Sequence, residues 1–290
     1  MTPMRGIDIS NWQKGLKLAP LGVDFAIIKA TEGLKYVDST CNGFVEQAQK
    51  AGMKWGTYHF ARNNTPEKEA EFYYQNIKNY VGKGIMVLDI EDDKIKDWGS
   101  YSDRFATRLH QLTGIYPLIY TSAANLHRFK GSAVTKTCGL WLAGYPRRYA
   151  SYPNTAMPYK VYPWRFAAIW QCSDNGRFPS YNGAIDINIG YLTKEQWDAY
   201  AGQTSMAIDM TDYKQLAYDV LLGKYGNGND RKAKLGDKYD KVQAYVNEID
   251  ALVGRVLKGE LGNGSDRRAN IERLGYSYSN VQNIVNKRLK

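Results

Sequence analysis

Residues 84–93 read Gly-Ile-Met-Val-Leu-Asp-Ile-Glu-Asp-Asp, an apolar run that ends in four acids within five positions. The run is short, bounded by Gly84, and apolar on both faces, which is the pattern of a buried parallel strand. Side chains two apart on a strand share a face, so Asp89 and Glu91 stand together, with Leu88 and Ile90 on the other side. Similar segments recur on both sides: RGIDI (5–9), FAIIKA (25–30), KWGTYHFA (54–61), YPLIYT (116–121), GLWLAGY (139–145), FAAIWQC (166–172) and AIDINI (184–189). Helical patterns separate the early ones. One opens at Thr65-Pro66, a cap followed by proline at the first helical position, and another closes at Gly114. Strands alternating with helices predict βα units, and eight strands predict an α/β (β/α)8-type barrel. The stretch PRRYASYPNTAMPYKVYPW (146–164) reads as a loop where a helix belongs, so the barrel is expected to be irregular.

Barrel chemistry sits at the carboxyl ends of the strands, where Asp89 and Glu91 fall. Asp8 in the first strand and Asp186 in the last hold comparable positions, and in a closed barrel those strands are neighbours. Four carboxylates therefore converge on one mouth. Such a cluster suits glycosidic cleavage, which needs a protonated acid at the leaving oxygen and negative charge near an oxocarbenium-like carbon. It equally suits a hard-cation site, or a cap on the next helix in which Asp92 and Asp93 favour the dipole. Spacing alone leaves these open. Lys29 and Glu32 either orient the acids or substrate, or form a strand-end ion pair. His59, beside Tyr58 on the opposite strand face, reads as a packed structural histidine.

Beyond residue 192 the texture changes. Residues 221–247 match 256–286 through Gly223/Gly259, Gly-Asn-Gly at 226–228 and 262–264, Asp230/Asp266, Arg231/Arg267, Val242-Gln243/Val281-Gln282 and Asn247/Asn286. A period near forty means tandem copies of one small unit. Each copy reads as three short helices, the first capped by Thr211 or Asp212 and the second by Asn229 or Asp230. The Gly-Asn-Gly turn lies between them. The organisation expected is a barrel over 4–192, a linker over 193–208, and repeats over 209–250 and 251–290.

Composition narrows the partners. The 290 residues carry a net charge of +10, with 23 Tyr and 7 Trp. Distributed positive charge favours polyanions such as nucleic acid, anionic lipid or an acidic cell wall, and no Lys/Arg run reaches the density of a nucleic-acid arm. The three cysteines and three histidines lack ligand spacing, so neither a metal nor a cofactor is expected. No segment has the length of a membrane span, and the first residues lack the apolar stretch of a signal peptide.

Taken in order, RGIDISNWQ, FAIIKATEG, GTYHFAR, MVLDIED, LIYTSA, LWLAGYP, IWQCSD and AIDINI resemble glycoside hydrolase family 25, the Chalaropsis-type lysozymes. The tail resembles tandem cell-wall-binding repeats. The resemblance implies an irregular barrel that hydrolyses the β-1,4 bond between N-acetylmuramic acid and N-acetylglucosamine in bacterial peptidoglycan. By position, Glu91 matches the proton donor, Asp89 its partner acid, and Asp8 and Asp186 the other acids of the cleft. Tyr58, Tyr120, Trp141 and Gln171 fall where that family lines its sugar subsites, with Lys29 and Glu32 beside them. In the repeats, Arg231 and Arg267 are candidate ligands for the muropeptide backbone, and Asp230 and Asp266 read rather as caps. The combination looks like a phage endolysin, or a bacterial autolysin derived from one; an endolysin implies a monomer held in the host cytoplasm until a membrane pore releases it to the wall. A wall lectin, a chitinase-like barrel and an amidase are the competing classes.

Overall fold

The computed structural model describes residues 3–203, 213–274 and 276–289, which form two compact units. The first contains, in order, β1 (Met4–Ile9), β2 (Phe25–Glu32), β3 (Tyr36–Val37), α1 (Cys41–Lys50), β4 (Lys54–Phe60), α2 (Pro66–Ile77), β5 (Ile85–Asp89), α3 (Trp98–Thr113), β6 (Leu118–Ser122), α4 (Val134–Thr137), β7 (Leu140–Ala143), β8 (Ile169–Phe178), β9 (Tyr181–Gly190) and α5 (Lys194–Tyr200). Eight strands close into a barrel through a parallel β1–β2 pairing, and the two-residue β3 hangs on β2 as a lip. Neighbouring barrel strands from β1 to β8 are parallel, the lip strand β3 is antiparallel to β2, and β9 is antiparallel to both β8 and β1. The reason is local: β8 and β9 are joined by a two-residue turn, which only an antiparallel pair can use. The loop expected before β8 is present, and no helix or strand lies between Ala143 and Ile169.

Strand alternation sorts the side chains. Ile7, Ile9, Ala26, Ile28, Leu88 and Ile119 face outward and pack with the helices in the main core. Met4, Phe25, Ile27, Ile85, Val87, Leu118 and Ile169 face inward and fill the lower barrel. Gly6 is required there, since a Cβ would lie 2.3 Å from the Phe25 ring. The expected linker start at 193 needs correction. Residues 193–200 form a capped helix, with a reciprocal Thr193–Gln196 capping box, and Trp197 and Tyr200 belong to the inner barrel core. Trp197 lies 4.8 Å from the Phe25 ring and donates to the Trp55 carbonyl. The remainder of the expected linker, 204–208, and the expected caps Thr211 and Asp212 lie outside the described residues.

The second unit holds α6 (Tyr213–Leu221), α7 (Gly228–Leu235), α8 (Tyr239–Leu257), α9 (Gly264–Arg273) and α10 (Tyr278–Arg288). The repeats are helical as expected, and they share a helix across the expected boundary. One helix, α8, ends the first copy and begins the second. Its apolar positions Val246, Ile249, Val253 and Val256 hold a 3–4 spacing across the junction, with no proline to stop the helix. A single core gathers Ala217 and Val220 of α6, these α8 residues, Ile271 of α9, and Val281, Ile284 and Val285 of α10. Polar links also cross between copies: the Ser277 amide donates to Tyr218 at 3.1 Å, and Tyr276 donates to Glu248 at 2.9 Å. Gly226 and Gly262 carry φ of 68° and 75°, the left-handed turns expected of Gly-Asn-Gly. Among the described residues no helix is long and apolar enough to cross a membrane.

Candidate active site

The inward row changes character toward the carboxyl ends of the parallel strands. Above the apolar layer stand Asp8 on β1, Lys29 on β2, Tyr58 on β4, Asp89 on β5, Tyr120 on β6, Trp141 on β7, Gln171 on β8 and both Asn188 and Asp186 on β9. Asp8, Lys29, Asp89, Tyr120 and Gln171 each lie an even number of residues along the strand from inward residues below. Asp8 and Asp186 are register partners across the β1–β9 pair. Because β9 runs the other way, its last residue, Gly190, pairs with Met4 at the bottom of the barrel, and Asp186 stands nearer the mouth than Asn188. Glu91 follows β5 by two residues, at the exposed rim.

Asp8 is the most heavily bonded acid. Gln171 Nε2 donates to both of its oxygens at 3.0 and 2.9 Å, and Asn188 Nδ2 donates at 2.6 Å. Gln171 is oriented by Tyr120, whose hydroxyl donates to Oε1 at 2.8 Å, and by the Tyr145 hydroxyl. Trp141 Nε1 orients Asn188 at 2.7 Å. Trp141 and Gln171, expected along sugar subsites, are 2% and 1% exposed and lie beneath the acids as their scaffold. Tyr58 is half-buried, edge-on to Trp141. Asn188 and Tyr145 were not singled out in the sequence. Asn188 was legible as the inward residue two beyond Asp186, whereas Tyr145 sits on a loop without a period to mark it.

Electrostatics separate the four carboxyls. Burial pushes Asp8 up to about 6, against the hydrogen bonds from Gln171 and Asn188. Asp186 rises to about 9 through burial and then the charge of Asp8 beside it. Asp89 is held well above the usual range by burial and then by Glu91. Its Oδ1 is buried with no hydrogen-bond partner. Glu91 is raised by partial burial and by Asp8, while Lys29 and Arg62 pull it down.

A raised carboxyl means that the folded state holds its proton more tightly than the unfolded chain. The stability contributed by Asp186 is complete below its ordinary value of 3.8 and is lost as pH rises toward about 9. Asp186→Asn keeps the shape of the neutral acid without that loss. Thermal melts between pH 4 and 9 are expected to show a flatter slope for the variant, with a melting temperature several degrees above wild type at pH 8. An unchanged slope would mean that Asp186 titrates normally.

The remaining candidates fall elsewhere. Lys29 pairs with Glu32 at 2.6 Å. His59 is fully buried against Glu69 at 2.7 Å, as expected of a structural histidine. Asp92 and Asp93 do not cap α3. Asp97 does, accepting from the Ser100 amide, while Asp92 and Asp93 face Arg62 and Arg128. In the repeats, Asp230 and Asp266 sit in the first helical turn, and the cap positions are Asn227 and Asn263. Arg231 donates to the Gly226 carbonyl, Asn227 and Gln243. Arg267 repeats this with Gly262, Asn263 and Gln282.

Comparison with known proteins agrees with this geometry. The sequence profile of glycosyl hydrolases family 25 matches residues 7–181, and that of the CW_7 repeat matches 214–249 and 250–289. The autolytic lysozyme of Clostridium acetobutylicum is 31% identical over 191 residues, covering 64% of this chain but only 55% of that protein. The N,O-diacetylmuramidase of Chalaropsis sp is 30% identical over 213 residues, covering 66% of this chain and 98% of that one. A family 25 lysozyme structure from Aspergillus fumigatus superposes with a TM-score of 0.56 at 30% identity, over 69% of this chain and 99% of that one. The profile stops before Asp186, but β9 carries the barrel and its fourth acid onward to residue 190. With a closed irregular barrel, four acids at its mouth and a matching profile over most of the barrel, this chain belongs to glycosyl hydrolase family 25.

Proposed function

We propose that the protein is a muramidase that hydrolyses the β-1,4 bond between N-acetylmuramic acid and N-acetylglucosamine in peptidoglycan, with Glu91 as proton donor and Asp89 as stabiliser of the intermediate. The observation that carries this reading is the unpaired, buried Oδ1 of Asp89 beside a raised and exposed Glu91. An acceptor left without a donor inside a polar mouth costs stability, and a substrate amide would satisfy it. The 2-acetamido N–H of the muramic acid residue is such a donor. Held by Asp89, the acetamido oxygen attacks the anomeric carbon as Glu91 protonates the leaving oxygen. The resulting oxazolinium is then opened by water, which Glu91 deprotonates.

Before substrate binds, the burial of Asp89 and the charge of Glu91 favour the proton on Asp89. A glycan across the mouth covers Glu91 and brings a cationic carbon to Asp89, and both changes move the proton to Glu91. Asp8, anchored by Gln171 and Asn188, and the protonated Asp186 beside it complete the floor. The wall-binding repeats hold the muropeptide backbone through Arg231 and Arg267, and the positive charge favours anionic wall polymers. The pairing of such a barrel with such repeats supports an endolysin, kept in the host cytoplasm until a membrane pore opens. Lysis from within is then expected only when a pore-forming protein is co-expressed.

Mass spectrometry of soluble products from digested walls tests the activity. New reducing ends on muramic acid are expected, and reducing ends on glucosamine would overturn the assignment.

A further inference from the structure

Lys29 is the cation of the upper barrel ring, and its surroundings are built with more care than a surface ion pair needs. Its Nζ lies 2.6 Å from Glu32 and over the Phe60 and Tyr36 rings at 5.0 and 5.4 Å. The other oxygen of Glu32 is taken by Arg62, through Nε at 2.8 Å and a terminal nitrogen at 2.6 Å. The same guanidinium reaches Asp92 at 3.4 Å and stands 4.4 Å from the Phe60 centroid. Arg62 is pinned from inside the protein as well. Its amide donates to Glu69 at 3.0 Å, and its carbonyl accepts from the Tyr101 hydroxyl at 3.1 Å. Glu69 is buried and held by His59 and Asn64, each at 2.7 Å, and His59 in turn meets Thr31 at 2.7 Å. A fully buried polar chain thus fixes the backbone of one arginine at the mouth.

We propose that Arg62 and Glu32 are positioning residues that set, through Lys29, the charge presented to Asp89 and Glu91 at the barrel mouth, and so the pH range of hydrolysis. This rests on the catalytic reading of Asp89 and Glu91. Glu32 is shared by two cations. With Arg62 in place, only part of its charge is spent on Lys29, whose ammonium remains effective on the acids. Without Arg62, Glu32 neutralises Lys29 alone.

The groups facing the pair are Asp8 from β1, Lys29 and Glu32 from β2, Tyr58 from β4, Arg62 after β4, Tyr120 from β6, Tyr145 after β7 and Asp186 from β9. Of these, the two cations favour the ionised carboxylates, and the acids oppose them. The two variants therefore act with opposite sign.

The test compares pH profiles of kcat/KM on soluble glycan for wild type, Arg62→Gln, Arg62→Lys and Glu32→Gln. Carboxyl NMR titrations of Asp89 and Glu91 in the same proteins give a readout independent of turnover. Arg62→Gln is expected to move both limbs to higher pH by about 0.5–1 unit, and Glu32→Gln to move them lower by a similar amount. Arg62→Lys should restore most of the wild-type profile. Carboxyl titrations that stay fixed, or that move the same way in both glutamine variants, would overturn the proposal. Wall products without muramic acid reducing ends would instead refute the muramidase assignment, whatever the titrations show.

Discussion

Glu91→Gln is expected to lower the release of muramic acid reducing ends by about 10²–10⁴-fold, the usual worth of a positioned general acid. Glutamine keeps the size and the hydrogen bonding of the neutral acid but has no proton to transfer. Glu91 stands exposed at the rim after β5, and among the described residues it makes no bond on which the barrel depends, so the melting temperature should stay within a degree or two of wild type. The helical unit folds around its own core, so sedimentation of the variant with purified walls should be unchanged. Adding Arg231→Ala and Arg267→Ala should then abolish that sedimentation, since each guanidinium organises a Gly-Asn-Gly turn and a glutamine in its repeat. Near-normal lysis by Glu91→Gln would remove Glu91 from the acid role. Undiminished binding by the arginine variants would remove them from wall recognition.

Asp89→Asn is expected to cost about 10²–10³-fold in kcat, the range for losing one preorganised electrostatic contact to a developing charge. Glu91 is raised by partial burial and by Asp8, and the substitution leaves both in place, so the alkaline limb of the residual activity should stay near its wild-type position. If the substrate's acetamido group is the nucleophile, azide leaves the rate of the variant unchanged. Azide rescue with a glycosyl azide product would identify Asp89 as a carboxylate nucleophile instead.

Much of this site is legible as parity. Met4-Gly6-Asp8, Phe25-Ile27-Lys29 and Ile85-Val87-Asp89 each step by two from the apolar filling of the barrel to its polar mouth. Any strand register that buries the first residues delivers the last to the groove. The support of Asp8 was not legible, because Gln171, Asn188, Trp141 and Tyr145 meet only through pairings between distant strands and loops. The plug formed by α5 was nearly so: its capping box, Thr193 to Gln196, is a sequence signal, but a seven-residue amphipathic helix has too few turns to announce which surface it covers.

The strands, the acids on them and the tandem origin of the tail follow from periods of two, three to four, and forty residues along one chain, and so are legible before any contact forms. Tertiary structure alone decided that β9 turns back to set Asp186 opposite Asp8, that one helix welds the two repeats, and that Arg62 leans on Glu32. These outcomes depend on which surfaces find each other when water is expelled, and that balance involves residues far apart in the chain.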